Sequence, residues 1–274
     1  MRDKKQSINL TKEVSTFRSG KYTLSALHDA EKLAPLIMEC NITSDLINSL
    51  PTSPTLCLEL DDEKLIAKYI YSTLILEGGL LNRDIVNDTL RSSARRSNAA
   101  KEVHSIRDAA LSILEESSET NPLEITEESI KKLNGLITGH AKKKESGESR
   151  YRTELAETNK VTGPFTAPPK ILSDTKILMN EFVSWINSKE IMELDPWLRS
   201  AIASFHLMLI HPFDRANAKT ARLIESSILH TSGMHFVPLM LAEHYNEESE
   251  EYFSTIKASL NTTNKDLTAF LEFA

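Results

Sequence analysis

Apolar residues along this chain recur at three- and four-residue steps far more often than they alternate. From residue 61 the pattern is plain. Leu65, Ile66, Tyr69, Ile70, Thr73 and Leu74 fall on one helical face, and Gly78-Gly79 bring that helix to a stop. "NRDIVNDTL" reads as a fresh helix with Asn82 as its cap, and another helix is expected over about 97–116. "TEES" at 126–129 has the form of a capping box, opening a helix that should reach about Lys142. Two more are predicted over 173–188 and about 196–210. In the second, Trp197, Ala201, Phe205 and Leu209 make one stripe, read as core and not as a cofactor box. Residues 1–60 mix short apolar patches with a turn-rich break around Pro51 and Pro54.

Two stretches leave the helical period. Residues 142–159 are polar and without apolar rhythm, which predicts a loop. In "KVTGPFTAPPK", β-branched residues flank a Gly-Pro turn before two prolines close the segment, the pattern of a short hairpin or extended flap. The expected class is all-α with one short β-hairpin. Only eight glycines in 274 residues support a mainly helical chain.

Charge and cysteine usage narrow the function classes. A net charge of −7 argues against general nucleic-acid binding, which needs a basic face, yet leaves room for a local phosphate pocket. Two cysteines, Cys40 and Cys57, are too few for a disulfide framework or a zinc site and are expected to be buried thiols in a reducing compartment. The N-terminus lacks the apolar segment of a secretory signal, and no run is long enough to span a membrane. A cytoplasmic location is the resulting expectation. His230, His235 and His244 show no ligand spacing, His206 is read as packed or partly exposed, and no metal site built from protein ligands alone is expected.

The chemistry-bearing stretch is "IHPFDRANAKTARLIE" at 210–225. His211 closes an apolar helix and Pro212 prevents its continuation. A new helix should start near Asn217, with Lys219 and Arg222 three residues apart on its first turns. Unpaired amides and the positive dipole end, joined by two cations, describe an anion site suited to phosphate. A histidine just upstream stands where a general base could act.

"HPFDRANAKTAR" resembles the signature of the Fic (filamentation induced by cAMP) family, H-x-F-x-[D/E]-G-N-G-R-x-x-R. "DPWLRSAIASFHLMLIHPF" is similar to the helix before that signature, "GPFTAPPKI" with "MNEFVSWIN" to the flap and following helix, and "NKDLTAFLEF" to the C-terminal helix. The resemblance implies a Fic-fold helical bundle over 61–274, preceded by an N-terminal extension over 1–60, with the hairpin flap beside the active site. It implies AMP transfer from ATP to a Ser, Thr or Tyr hydroxyl of a target protein. His211 would be the general base, Phe213 a buried anchor, Asn217 the shaper of the phosphate loop and Arg222 a phosphate ligand. Ala218, Lys219 and Arg215 fall within the same nucleotide-binding stretch. The flap residues Val161, Thr162, Gly163 and Phe165 would pair with an extended segment of the target.

This motif departs from the family pattern. Arg215 stands where the family holds Mg²⁺ with an acid, so ATP is the expected donor while Mg²⁺ is not supported. Ala216 and Ala218 replace two glycines; a Cβ at Ala218 crowds a phosphate approach and penalises a positive φ. Lys219 replaces an arginine and loses its fork. Upstream, "TLILEGG" at 73–79 is similar to the family's inhibitory [S/T]-x-x-x-E-[G/N], with Thr73 and Glu77 as regulatory residues on a helix of about 62–77. Glu77 would pair with Arg222, and by resemblance it can also position water to remove AMP. The alternative is a catalytically impaired Fic-fold protein that binds nucleotide or protein as a regulator; transfer of another phosphate-linked group is a third reading. A homodimer stays open as a further partner.

Overall fold

A computed structural model of the chain describes residues 10–49, 62–92, 94–115, 122–139, 150–153, 171–262 and 265–274. A short antiparallel hairpin opens it, β1 (Thr11–Ser15) and β2 (Lys21–Ser25), in register Thr11↔Ser25 through Ser15↔Lys21. Helices follow: α1 (Ala30–Ser49), α2 (Asp62–Leu76), α3 (Arg83–Arg91), α4 (Asn98–Leu114), α5 (Glu127–Ile137), α6 (Leu172–Ile186), α7 (Lys189–Met192), α8 (Pro196–Ile210), α9 (Asn217–Thr231), α10 (Val237–Glu247), α11 (Ser249–Asn261) and α12 (Thr268–Phe273). The all-α class holds, as does each helix anticipated from periodicity.

Helices α8 and α9 pack along each other at the centre. Residues 198–210 of α8 are buried on every side, as expected where apolar residues surround a helix completely. Asp195 caps α8 by accepting from the Trp197 amide at 3.0 Å, with Pro196 at its first position. Helix α9 is buried through 217–229 but carries Asn217, Lys219, Thr220, Arg222, Glu225, Ser226 and Ser227 inward. Burying so many polar groups costs free energy unless each finds a partner, so the centre of this bundle is built for something besides packing.

Around this pair, α2 presents Leu65, Ile66, Tyr69, Ile70, Thr73 and Leu74 inward, the face its spacing predicts, and lies against α10. Its end is fixed by glycine chemistry. Gly78 has φ +79° and donates to the Ile75 carbonyl at 2.8 Å, while Gly79 donates to the Leu74 carbonyl at 2.9 Å. A Cβ on Gly79 would stand 2.8 Å from that carbonyl oxygen, so no other residue fits. Asn82 caps α3 and Ser97 caps α4. The capping box at Thr126 is present, closed by Ser129. Helix α5 ends at Ile137 and not at Lys142, because Gly139 turns the chain with φ +71°.

The N-terminal residues carry structure that the apolar pattern left unassigned. The hairpin turn is clasped by buried Asp174 of α6, which accepts from the Phe17, Arg18 and Ser19 amides at 2.9, 3.1 and 2.8 Å and from the Ser19 hydroxyl at 2.6 Å. Strand β2 closes over His206 of α8. Tyr22 Oη lies 3.0 Å from its Nδ1, and the Ser25 amide and carbonyl lie 3.0 and 2.8 Å from its Nε2. Asn41 fixes α1 by donating to Asp195 and accepting from the Trp197 indole. Cys40 lies exposed on α1, which corrects the expectation of a buried thiol: it stands two turns beyond buried Leu33 on the same side of the helix, where that side is no longer covered. Cys57 and the segment 160–170, with Val161, Thr162, Gly163 and Phe165, lie outside the described residues. The hairpin observed is therefore a different one from the flap expected there. Among the described residues no helix is long and apolar enough to cross a membrane.

Candidate active site

The loop between α8 and α9 is held in an uncommon conformation from both ends. His211 is the C-cap of α8 in the left-handed region, φ 52° and ψ 58°. Ala216 is the N-cap of α9 in the same region, φ 60° and ψ 30°. For residues with a Cβ this costs about 1–2 kcal/mol each and needs compensation. Arg152 supplies part of it, donating from its amide to the Pro212 carbonyl at 2.9 Å and from Nε to the His211 carbonyl at 2.8 Å. Asn217 makes a reciprocal pair with Phe213, accepting from its amide and donating to its carbonyl, both at 2.8 Å. Asn134 of α5 donates to the Arg215 carbonyl and to Thr220 Oγ1, each at 3.0 Å, and Thr220 in turn donates to the Ala216 carbonyl. Phe213 is buried beneath the loop as anticipated, with Tyr151 packed on its ring.

The expected backbone strain falls elsewhere. Ala218 sits inside the first turn of α9 without a positive φ, packed into the core, so the conformational penalty predicted there is not realised; it is Ala216 that pays it. Its Cβ still lies beside the first amides of α9, which have no helical acceptor.

His211 is largely withdrawn from water. Burial, reinforced by the Arg152 guanidinium, lowers its imidazole to about 4, although a bond to the Met208 carbonyl pulls the other way. The ring is thus neutral near pH 7, the state in which it can accept a proton.

Both cations predicted from spacing are buried and already paired. Glu77, just past α2, places Oε1 3.3 Å from Arg222 Nη2 and Oε2 3.1 Å from Lys219 Nζ. Lys219 also donates to Glu102 Oε1 of α4 at 2.7 Å. Burial is the largest single influence on Lys219 and Arg222 and would lower both, but Glu77 and Glu102 together outweigh it on Lys219, as Glu77, Tyr252 and Tyr69 together do on Arg222, and each is held above its ordinary value. Thr73 is buried one turn before Glu77, while Arg215 and Asp214 face solvent.

Behind Arg222, Glu225 accepts from Tyr245 Oη at 2.7 Å, and burial pushes its carboxyl up to about 7. Divalent-metal chemistry does not fit the donor set of this loop. Its one carboxylate, Asp214, is exposed, lies within electrostatic reach of the Arg152 guanidinium and is followed by the Arg215 cation. Asn134, Arg152 and Glu102 were not singled out from sequence. Asn134 leaves a trace, a lone amide among Ile130, Leu133 and Ile137 on an apolar face; Arg152 and Glu102 leave none.

Residues 124–229 match the model of the Fic/DOC family. A protein adenylyltransferase fic-1 from Caenorhabditis elegans is 32% identical over 213 residues, which cover 75% of this chain and 38% of that protein. A protein adenylyltransferase Fic from Aedes aegypti is 24% identical over 76% of this chain and 40% of its own length. The chain thus spans about two fifths of the curated relatives it matches. Its fold is similar to a Fic family protein from Desulfovibrio desulfuricans, with TM-score 0.65, 16% identity and coverage of 95% of this chain and 71% of the other. Fic-1 from C. elegans aligns with TM-score 0.63 and 23% identity over 89% of this chain and 68% of that one. The loop held by Asn217, the matched segment and the shared fold lead to one assignment: residues 124–229 form a domain of the Fic/DOC family.

Proposed function

We propose that this chain is a protein adenylyltransferase whose nucleotide site is held closed by Glu77. The reading rests on one observation above all: a single carboxylate occupies both cations at the opening of α9, in the place a polyphosphate would take. With Glu77 displaced, Lys219 and Arg222 bind ATP through its phosphates, the first amides of α9 add hydrogen bonds, and Arg215 offers a further cation from solvent. His211 takes the proton from a Ser, Thr or Tyr hydroxyl of a target protein. That oxygen bonds to the α-phosphorus, the bond to the bridging oxygen breaks, and pyrophosphate leaves. The developing charge falls to the cations of this chain, and no step is assigned to Mg²⁺. Val161, Thr162, Gly163 and Phe165 are proposed to dock the target by strand addition. Thr73 supports the helix that carries Glu77, and the same carboxylate is suited to orienting water for AMP removal. The catalytic unit is taken as residues 61–274.

A second reading, a nucleotide-binding regulator without transfer, is favoured by Arg215, a cation where the family carries an acid. Incubation with α-labelled ATP and cell lysate separates the two. Glu77→Gly is expected to label protein, and adding His211→Ala to it should reduce labelling by at least about a hundredfold, the scale of a lost general base. Labelling that survives the loss of the imidazole rejects the mechanism; ATP binding with no labelling in any variant favours the regulator.

A further inference from the structure

Lys219 has two carboxylates on it, not one, and the shorter contact is not with the residue predicted to inhibit. Glu102 Oε1 lies 2.7 Å from Lys219 Nζ against 3.1 Å for Glu77 Oε2. The two acids come from different elements: Glu77 follows α2, while Glu102 sits in the first turns of α4. Arg222, Glu77, Lys219 and Glu102 therefore form a continuous chain of alternating charge drawn from α9, the turn after α2 and α4, closed to zero net charge.

We infer that Glu102 is a second inhibitory carboxylate, acting on Lys219 alone, so that a polyphosphate must displace two counter-ions to use both cations. The inference deepens the proposed function and rests on Lys219 being a phosphate ligand. Its physical basis is the difference in exposure across the pair. The Lys219 side chain is 9% exposed, so its ammonium has few water partners and depends on its carboxylates. The Glu102 side chain is 44% exposed and rehydrates easily when released. Glu102 thus restrains Lys219 without being needed to hold the fold. Swinging Glu77 out removes the ion pair on Arg222 but leaves Lys219 still paired with Glu102. Lysine strengthens this arrangement: its compact ammonium can sit between two separate carboxylates, where an arginine fork would favour one of them in a bidentate pair.

The test is ATP affinity by calorimetry for Glu102→Gln, for Glu77→Gly and for the double variant. Glu115→Gln, an exposed acid at the far end of the same helix, controls for bulk charge. Removing a half-exposed partner of a buried cation should tighten ATP binding about three- to fivefold. The gain should appear in the native background and again over Glu77→Gly, with no gain from Glu115→Gln. Unchanged affinity in Glu102→Gln, or an equal gain from Glu115→Gln, overturns the inference. Should Glu77→Gly alone leave affinity unchanged while Glu102→Gln raises it, the inhibitory role of Glu77 fails and the second carboxylate stands.

Discussion

At His211 the backbone and the side chain are constrained for different reasons. The left-handed turn is held by two carbonyls tied down by Arg152, while the proline next in sequence only keeps His211 from continuing the right-handed helix. The low proton affinity follows first from burial. A base that loses its proton at about 4 is neutral across the ordinary range. For Glu77→Gly, kcat/KM for AMP transfer should therefore stay level down to about pH 5 and fall only towards pH 4, since that quantity titrates with the free protein. An acid limb centred on 6.5, the ordinary imidazole value, contradicts the burial of this ring. Among the site residues, those with a positional signature were legible. His211, Asn217, Lys219 and Arg222 sit at fixed steps around one helix start, whereas Glu77 stood out only through the resemblance of its stretch to the family's inhibitory motif, since a glutamate before two glycines is an ordinary helix end. Arg152 and Glu102 act through contacts between distant segments, and no spacing records that. The misplaced strain belongs here too: which of two alanines takes a positive φ depends on where the helix begins, and Asn134 and Thr220 decide it by holding the Arg215 and Ala216 carbonyls.

Elements tell a similar story. The long helices declared themselves by period, and their ends by Asn82, Thr126 and the glycines after Leu76; the Asp195 cap emerged only with the fold. Helix α1 and the hairpin did not. Leu33 and Ser44 are the buried residues of α1, and Val14 and Leu24 are the strongly buried apolar residues of the two strands, too few to set a rhythm. Asn41 and Asp174 anchor these elements by hydrogen bonding, which apolar patterning cannot see. The hairpin should accordingly depend on one carboxylate. In Asp174 burial acts to raise the pKa, but the Ser19 hydroxyl and the three turn amides outweigh it, holding the carboxyl below its ordinary value. Replacing Asp174→Ala leaves those donors without an acceptor and should cost about 2–4 kcal/mol. Amide exchange over residues 11–25 should then rise well ahead of exchange in α8 and α9. Equal protection of the hairpin in both proteins would show that Asp174 does not hold it.

On the scale of the whole molecule, the buried polar centre couples stability to pH in two opposed ways. Burial lowers His206 from 6.5 to about 4, so the unfolded chain binds its proton first and stability is lost as pH falls through that window. His211 acts in the same direction. Burial raises Glu225 from 4.5 to about 7, so the folded chain keeps the proton and stability is lost as pH rises through that window. The two imidazoles contribute about 3 kcal/mol each and Glu225 about 3 kcal/mol of opposite sign, so the native chain still loses stability as pH falls, but by about half of what the imidazoles alone would dictate. In Glu225→Gln the Tyr245 bond can persist while the titration is gone. Denaturation midpoints should then fall more steeply between pH 6.5 and 4.5 than in the native chain; identical slopes would mean that Glu225 ionises as an ordinary carboxylate.

The same buried centre carries the central claim, that the site is complete but occupied by its own acid. Two cations with 4% and 9% side-chain exposure are satisfied from within by Glu77, and a polyphosphate must take its place. The most direct measurement is calorimetric titration of ATP into the native chain and into Glu77→Gly. The account predicts at least about a tenfold gain in affinity, as expected when a charged pair in a partly buried cleft no longer competes. Equal affinity for the two proteins would contradict it.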